Sequence, residues 1–252
     1  MSKQEALFEY CLRLGDNSLI LGHRLSEWCG HGPILEEDLA LANIALDLVG
    51  QARTLLSYAA KVEGKGRDED ALAYFRDDKE FRNALLVEQE NGDFAVTIAR
   101  QLYYTIYAQL LLTELQHSKD ETLSGMAAKS LKETNYHLRH CSEWTIRLGD
   151  GTEESKRRMQ DAVDSLWMYS EDLFATTAGD ELLVKEGIAV DARTLKPKWQ
   201  AKLKEILEQA TLTTPASTFM MSGSREGHHT EHLSYLLGEM QYVQRLHPGM
   251  EW

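Results

Sequence analysis

The sequence predicts an all-α fold, a four-helix bundle with further helices packed outside it, on three observations. Two stretches, 37–62 and 94–117, are apolar on most sides, as a helix inside a bundle is. No stretch alternates apolar and polar residues for long enough to make a strand. Only four prolines occur, so long helices can run unbroken. The apolar content of 43% supports a real core, and no stretch of linker composition divides the 252 residues, so a single domain over 1–252 is expected.

The first helix is expected over 4–29, where Leu7, Tyr10, Cys11, Leu14, Leu21, Leu25 and Trp28 recur at helical spacing. Gly15 and Gly22 weaken it and mark a bend or a close helix approach. Gly30 to Pro33 stops it. The second helix covers Glu37–Val62. Leu39, Ala42, Leu46, Val49, Leu56 and Ala60 form one apolar stripe on it, and Leu41, Ala45, Leu48, Ala52 and Leu55 a second, which predicts burial on more than one side. Asn43, Asp47 and Gln51 share a polar face, expected to point inward and to make interhelical hydrogen bonds.

After Gly64-Lys65-Gly66 the chain is polar and mixed over 67–92, with a short helix at 68–75 and a second short helix or turn around Phe81, Leu85 and Leu86. Asp93 caps a third long helix at 94–117. A fourth follows at 120–148, carrying Met126, Leu131, Leu138, Trp144 and Leu148, and a fifth at 153–176. A short apolar piece at 182–190 precedes a sixth helix at 194–210. Residues 211–228 read as a loop, 229–246 as a seventh helix and 247–252 as a tail.

The formal net charge of −13 argues against nucleic acid or an anionic membrane as the main partner, because no excess of cations exists to release counterions. Cys11, Cys29 and Cys141 form no CxxC and sit in apolar helical patterns, so all three are expected to be buried in a reduced, cytoplasmic protein. The start MSKQEALFEY lacks the apolar region of a signal peptide, and no apolar run approaches the ~20 residues of a membrane span. There is no GxSxG, no activated cysteine setting and no glycine-rich phosphate loop. Tyr103, Tyr104 and Tyr107 read as core.

A bundle of this kind is where a two-metal carboxylate centre sits. It needs a Glu from each of two helices and a Glu-x-x-His from each of the other two, because a pair of cations held close together requires several hard anionic oxygens. The second helix has no His, its one mid-helix acid is Asp47, and one register puts Leu48 and Gln51 where Glu and His are needed. The third has no acid from Phe94 to Thr113, and its Glu114-x-x-His117 falls in the last turn. The fourth offers Glu133, with His137 one residue, or about 100° of rotation, out of register. An intact metal pair is therefore not expected. A non-standard site would draw on Glu27, Asp47, Glu133, His137 and the run His228-His229-Thr230-Glu231-His232.

In that run His228 and His232 are i, i+4 neighbours able to chelate one metal. With no third ligand nearby, a packed polar network at a helix start is the favoured reading. Arg76, Lys79 and Arg82 around Phe81 form the one basic run that stands out. It suits the phosphates of a nucleotide-like ligand, but salt bridges to Asp77, Asp78 and Glu80 are favoured.

The segments EWCGHGPILEEDLALANIALDLVGQARTLLSYAA, KETNYHLRHCSEW, GIAVDARTLKPKW and HTEHLSYLLGEMQYVQRLHPGMEW resemble the structural subunit of bacterial phenylacetyl-CoA oxygenase, the ring 1,2-epoxidase (PaaC type). The likeness runs from the first helix to Trp252. It implies a ferritin-like bundle descended from a catalytic di-iron subunit, with Leu48 and Gln51 at the lost ligand positions and no cofactor in this chain. It further implies pairing with the catalytic di-iron subunit, alongside a reductase carrying FAD and an iron–sulfur cluster and a small accessory subunit. The assembly would epoxidise the ring of phenylacetyl-CoA with dioxygen and NADPH-derived electrons, a step this chain would not perform alone. Arg76, Lys79, Phe81 and Arg82 acquire a role as acyl-CoA contacts at a shared interface, and the isolated chain is expected to form a homo-oligomer. The alternatives are a ferritin-like oxygenase with its own non-standard metal site and a helical interaction protein unconnected with oxygen chemistry.

Overall fold

A computed structural model describes residues 1–250, and among them the chain is all-α, the composition of a ferritin-like fold, with no strand. The expected tail and the family likeness both end at Trp252, so their last two residues lie outside the described ones. In chain order the helices are α1 (Lys3–Ser26), α2 (Leu35–Glu63), α3 (Glu69–Tyr74), α4 (Phe94–Leu115), α5 (Glu121–Gly149), α6 (Glu153–Trp167), α7 (Ala178–Lys185), α8 (Lys196–Gln209), α9 (Glu231–Met240) and α10 (Tyr242–Leu246). Two compact units contain them: Met1–Glu90 with the chain from Gly223 onward, and Asn91–Ser222.

The first unit is built on α1 and α2. The Ser2 hydroxyl accepts from Glu5 N while the Glu5 carboxylate accepts from Ser2 N, a capping box that starts α1. Gly64, at φ +69°, ends α2 in the left-handed conformation that glycine tolerates. The two helices run antiparallel at close range. A methyl group on Gly15 would meet Leu55 and Leu56, and one on Gly22 would meet Ala45, Leu48 and Val49. α1 is buried almost continuously from Tyr10 to Leu25, its polar Arg13, Asp16, Asn17, Ser18 and Arg24 included.

α2 departs from expectation. Its second stripe, with Ile44, is buried, but Leu39, Leu46 and Val49 of the first are exposed and Asn43 lies at the surface. Asp47 and Gln51 are half-buried. By length and composition alone α2 could cross a membrane, with a mean hydropathy of 1.3 over its apolar window, whereas the sequence reading expects no such run.

Residues 81–90 contain no helix, yet Phe81, Ala84, Leu85, Leu86 and Val87 are buried. The expected helix at 229–246 starts at Glu231 and breaks at Gln241, whose side-chain amide donates to the Ala73 and Arg76 carbonyls, both at 3.0 Å.

In the second unit α4 and α5 run antiparallel. Phe94 meets Trp144 edge-on at 5.1 Å, Gln109 Nε2 donates to Asn135 at 3.1 Å, and the Ser124 hydroxyl donates to the Gln116 carbonyl. Tyr103 centres an aromatic cluster with Trp167 and Trp199. Its hydroxyl donates to the Val163 carbonyl at 2.9 Å, and Trp199 Nε1 donates to the Tyr103 carbonyl at 2.8 Å. The expected fifth helix stops at Trp167 and gives way to a 3-10 turn at Glu171–Phe174. The apolar piece at 182–190 is in part the end of α7, which starts from a Thr177/Asp180 capping box.

Candidate functional site

A ferritin-like fold implies a metal pair; the candidate donors fall in both units. Leu48 is 3% exposed and lies against Gly22, an apolar side chain in a close-packed seam. Asp47 and Gln51 belong to the first unit; Glu133, half-buried, and His137, buried, belong to the second. Glu27 pairs with Arg24 at 2.9 Å, and Glu114 pairs with Lys198 at 3.1 Å. Among the described residues no three His, Cys, Asp or Glu side chains gather so as to hold a metal ion. The described residues do not fit a metal pair.

The histidine run is placed differently from the chelate reading. His228 is exposed and lies before α9, so it does not share a helix face with His232. His232 Nδ1 is 3.5 Å from Glu90. The organising residue is His229, which helical spacing sets aside, together with Glu88. The Glu88 carboxylate has no exposed surface and is satisfied at both oxygens. Oε1 accepts from the Thr230 amide at 2.6 Å and the Thr230 hydroxyl at 2.7 Å. Oε2 accepts from Asn83 Nδ2 at 2.8 Å and lies 2.8 Å from His229 Nδ1. His229 Nε2 lies 3.1 Å from the Phe81 carbonyl. Both ring nitrogens thus face acceptors, an arrangement that only the imidazolium satisfies in full. Burial pulls the His229 pKa down, but Glu88, the Phe81 carbonyl and Asp16 together outweigh it, so the group titrates above its ordinary 6.5.

Thr230 is the N-cap of α9, so Glu88 also places a negative charge at that helix N-terminus. Arg24 completes the network, donating to the Glu88 carbonyl at 3.1 and 2.8 Å and to the His232 carbonyl at 3.2 Å. A buried His–carboxylate pair is the material of general acid–base catalysis, but this one is closed on every side by the chain's own groups. Its chemistry is that of a fastener between 83–90 and the start of α9.

The basic run is equally committed. The Arg76 guanidinium is buried, forms a two-pronged ion pair with the buried Asp16 and stacks over the Phe81 ring at 4.2 Å. Arg82 donates its backbone N–H to Asp16 at 2.9 Å and its Nε to Glu9 at 3.0 Å. These partners replace the local acids expected from the sequence, because Asp16 and Glu9 on α1 reach the run across the fold. Phe81 has no exposed surface. Of the four acyl-CoA contacts expected, Lys79 alone is exposed.

Among the described residues, the two buried cysteines are unsuited to nucleophilic chemistry. Cys11 and Cys141 are buried, and burial pushes the Cys141 thiol up to about 12, far from a thiolate. Cys29, expected to be buried, is exposed because α1 ends at Ser26, before it. Burial raises the Tyr103 hydroxyl well above its ordinary value, in line with a donor fixed on a backbone carbonyl.

Comparison with known proteins gives this donor-poor bundle its setting. A family model described as "Phenylacetic acid catabolic protein" matches residues 1–252. One of the subunits of the 1,2-phenylacetyl-CoA epoxidase of Escherichia coli (strain K12), the one lettered C, is 51% identical over 246 residues, spanning 98% of this chain and 99% of that protein. The chain belongs to the phenylacetic acid catabolic protein family, PaaA_PaaC.

Proposed function

We propose that this chain is a structural subunit of a multicomponent phenylacetyl-CoA 1,2-epoxidase in aerobic phenylacetate degradation, binding and supporting a ferritin-like di-iron catalytic subunit. The observation that carries this reading is Leu48, a close-packed apolar side chain in mid-α2, where a metal-binding bundle helix needs an anionic donor. The identity to the Escherichia coli epoxidase subunit, over nearly the full length of both, supports the same reading. In it this chain holds no cofactor. Di-iron belongs to the catalytic subunit, and FAD and an iron–sulfur cluster to a reductase; a small accessory subunit makes up the rest of a cytoplasmic assembly. Arg76, Phe81 and Arg82 are engaged inside the fold, so acyl-CoA binding is not assigned to this chain.

The test is metal content and co-purification. The chain expressed alone is expected to carry no stoichiometric iron and no epoxidase activity. Co-expressed with a catalytic di-iron subunit, it is expected to co-purify with it and raise its activity. About two irons per chain, with activity lost on Glu133→Ala, would establish the alternative of a metal-dependent oxygenase with its own non-standard site.

A further inference from the structure

Where α9 breaks and turns into α10, the two helices stand over the turn at 77–80 and leave a groove of about 820 Å³. That is within the range of a binding cleft, about 300–1,000 Å³. The groove is braced beneath. Gln241 holds the Ala73 and Arg76 carbonyls, and the Ser234 hydroxyl donates to Asp78 at 3.0 Å. Arg245 donates to Asp77 at 3.0 Å and to the Arg76 carbonyl at 2.8 Å. Walls held in this way are formed before anything binds, which lowers the ordering cost of an occupant.

Three features specify what fits. The first is an open apolar wall. Tyr242 and Leu246, i, i+4 neighbours on α10, line the groove and are 64 and 57% exposed. Apolar groups exposed together beside a polar rim mark a surface for another molecule. The second is charge. The facing turn carries Asp77, Asp78 and Glu80. Arg245 is spent on Asp77 and on backbone carbonyls, so Asp78 and Glu80 stand against Lys79, in a chain whose net charge is already −13. Such a rim repels phosphates and carboxylates and draws cations. The third is Gly238, which lines the groove from within α9. Glycine weakens a helix interior, and here a methyl group would meet nothing within 4 Å. The missing side chain keeps the groove open to an occupant.

We propose that this groove docks a segment of another protein in which a leucine-like side chain is flanked by lysine or arginine. The apolar group lies over Gly238 against Tyr242 and Leu246, and the cations reach Asp78 and Glu80.

Fluorescence anisotropy with the full-length chain and a labelled synthetic peptide of leucine and lysine tests this, with a leucine–glutamate twin as the second probe. The lysine peptide is expected to bind saturably and the glutamate twin not to bind. Gly238→Leu fills the groove from a position with room for a side chain. It is expected to weaken the lysine peptide at least about tenfold with helical circular dichroism unchanged. Asp77→Asn, Asp78→Asn and Glu80→Gln made together keep an acceptor oxygen at each place while removing the charge, and are expected to weaken it comparably. Glu153→Gln, Glu205→Gln and Glu208→Gln, exposed elsewhere, change the net charge by the same amount and are expected to leave the affinity within about twofold. No binding, equal binding of both peptides, indifference to Gly238→Leu, or an affinity that follows net charge alone overturns the proposal. So does sedimentation velocity showing a second copy on this face, as a wild-type dimer that Gly238→Leu disperses.

Discussion

Asp16 lies in the middle of α1 with no exposed surface, and three donors converge on its carboxylate: two Arg76 nitrogens and the Arg82 backbone N–H. Removing one member of a buried ion pair strands the other, at a cost of about 3–5 kcal/mol, whereas an apolar replacement of both is often neutral. Asp16→Ala is therefore expected to lower the unfolding free energy by roughly that amount, and the double change Asp16→Leu with Arg76→Met by much less; urea titrations of the three chains measure the difference. His229 gives a pH signature. Its pKa is raised above the ordinary 6.5, so its contribution is full below that value and is lost as pH rises through the folded value. The stability gap between wild type and His229→Gln is expected to narrow from pH 6.5 upward; a gap constant with pH in thermal melts would rule out the imidazolium. Neither residue was legible in the sequence. Charged side chains read as surface because few are buried unless paired, and here the pairing is tertiary, with Asp16 60 residues from Arg76 and Glu88 141 from His229. The histidine run did announce a polar network at a helix start, but helical spacing chose His228 and His232, and the chain is not yet helical at His228.

At the scale of elements, helix existence was legible and helix surroundings were not. Spacing, caps and Gly–Pro stops located α1, α2, α4, α5 and α8 to within a few residues, because each is long and strongly periodic. α7 is eight residues long, too short for a period, and its start was signalled only by Thr177-x-x-Asp180. The two stripes of α2 look alike in sequence, since a stripe that packs on α1 and one left open to solvent obey the same periodicity. The segment 81–90, read as a short helix or turn around Phe81, Leu85 and Leu86 within a polar stretch, has no helix, and its buried backbone is held by side chains from elsewhere, as where Asn17 Oδ1 accepts from Ala84 N at 2.7 Å. The glycines of α5 make the role of surroundings measurable. A methyl group on Gly125 meets nothing within 4 Å, while one on Gly149 would sit 2.2 Å from the Ala210 carbonyl oxygen. Gly125→Ala is expected to stabilise the protein by about 0.5–1 kcal/mol through helix propensity. Gly149→Ala is expected to destabilise it by about 1–3 kcal/mol, because backbone must move to admit the methyl. Thermal melts giving the two substitutions the same sign would refute this account of α5.

For the whole molecule, the telling fact is that the first unit is assembled from both ends of the sequence. The chain leaves it at Glu90 and returns at Gly223. Besides the buried Leu233, Leu236, Leu237 and Met240, the returning segment brings hydrogen-bond partners for groups buried in the rest of the unit. His229 and Thr230 supply three of the four contacts on the Glu88 carboxylate, the His232 carbonyl takes an Arg24 nitrogen, and Gln241 satisfies the Ala73 and Arg76 carbonyls. A chain ending at Ser222 would keep α1 and α2 and lose all of these. It would leave a buried carboxylate with Asn83 as its one remaining side-chain donor, at a cost of several kcal/mol for the uncompensated charge. Total stabilities are typically about 5–15 kcal/mol, so the first unit of such a chain is expected to be largely unfolded. The second unit, Asn91–Ser222, keeps its own aromatic core around Tyr103, Trp167 and Trp199. Hydrogen exchange on the truncated chain is therefore expected to show protection lost over residues 10–25 of α1 and retained over α4 and α5. Protection of α1 equal to that in the full-length protein would mean that the helix pair folds without its C-terminal fastener, and that the Glu88–His229 network is an ornament of the fold and not a condition of it.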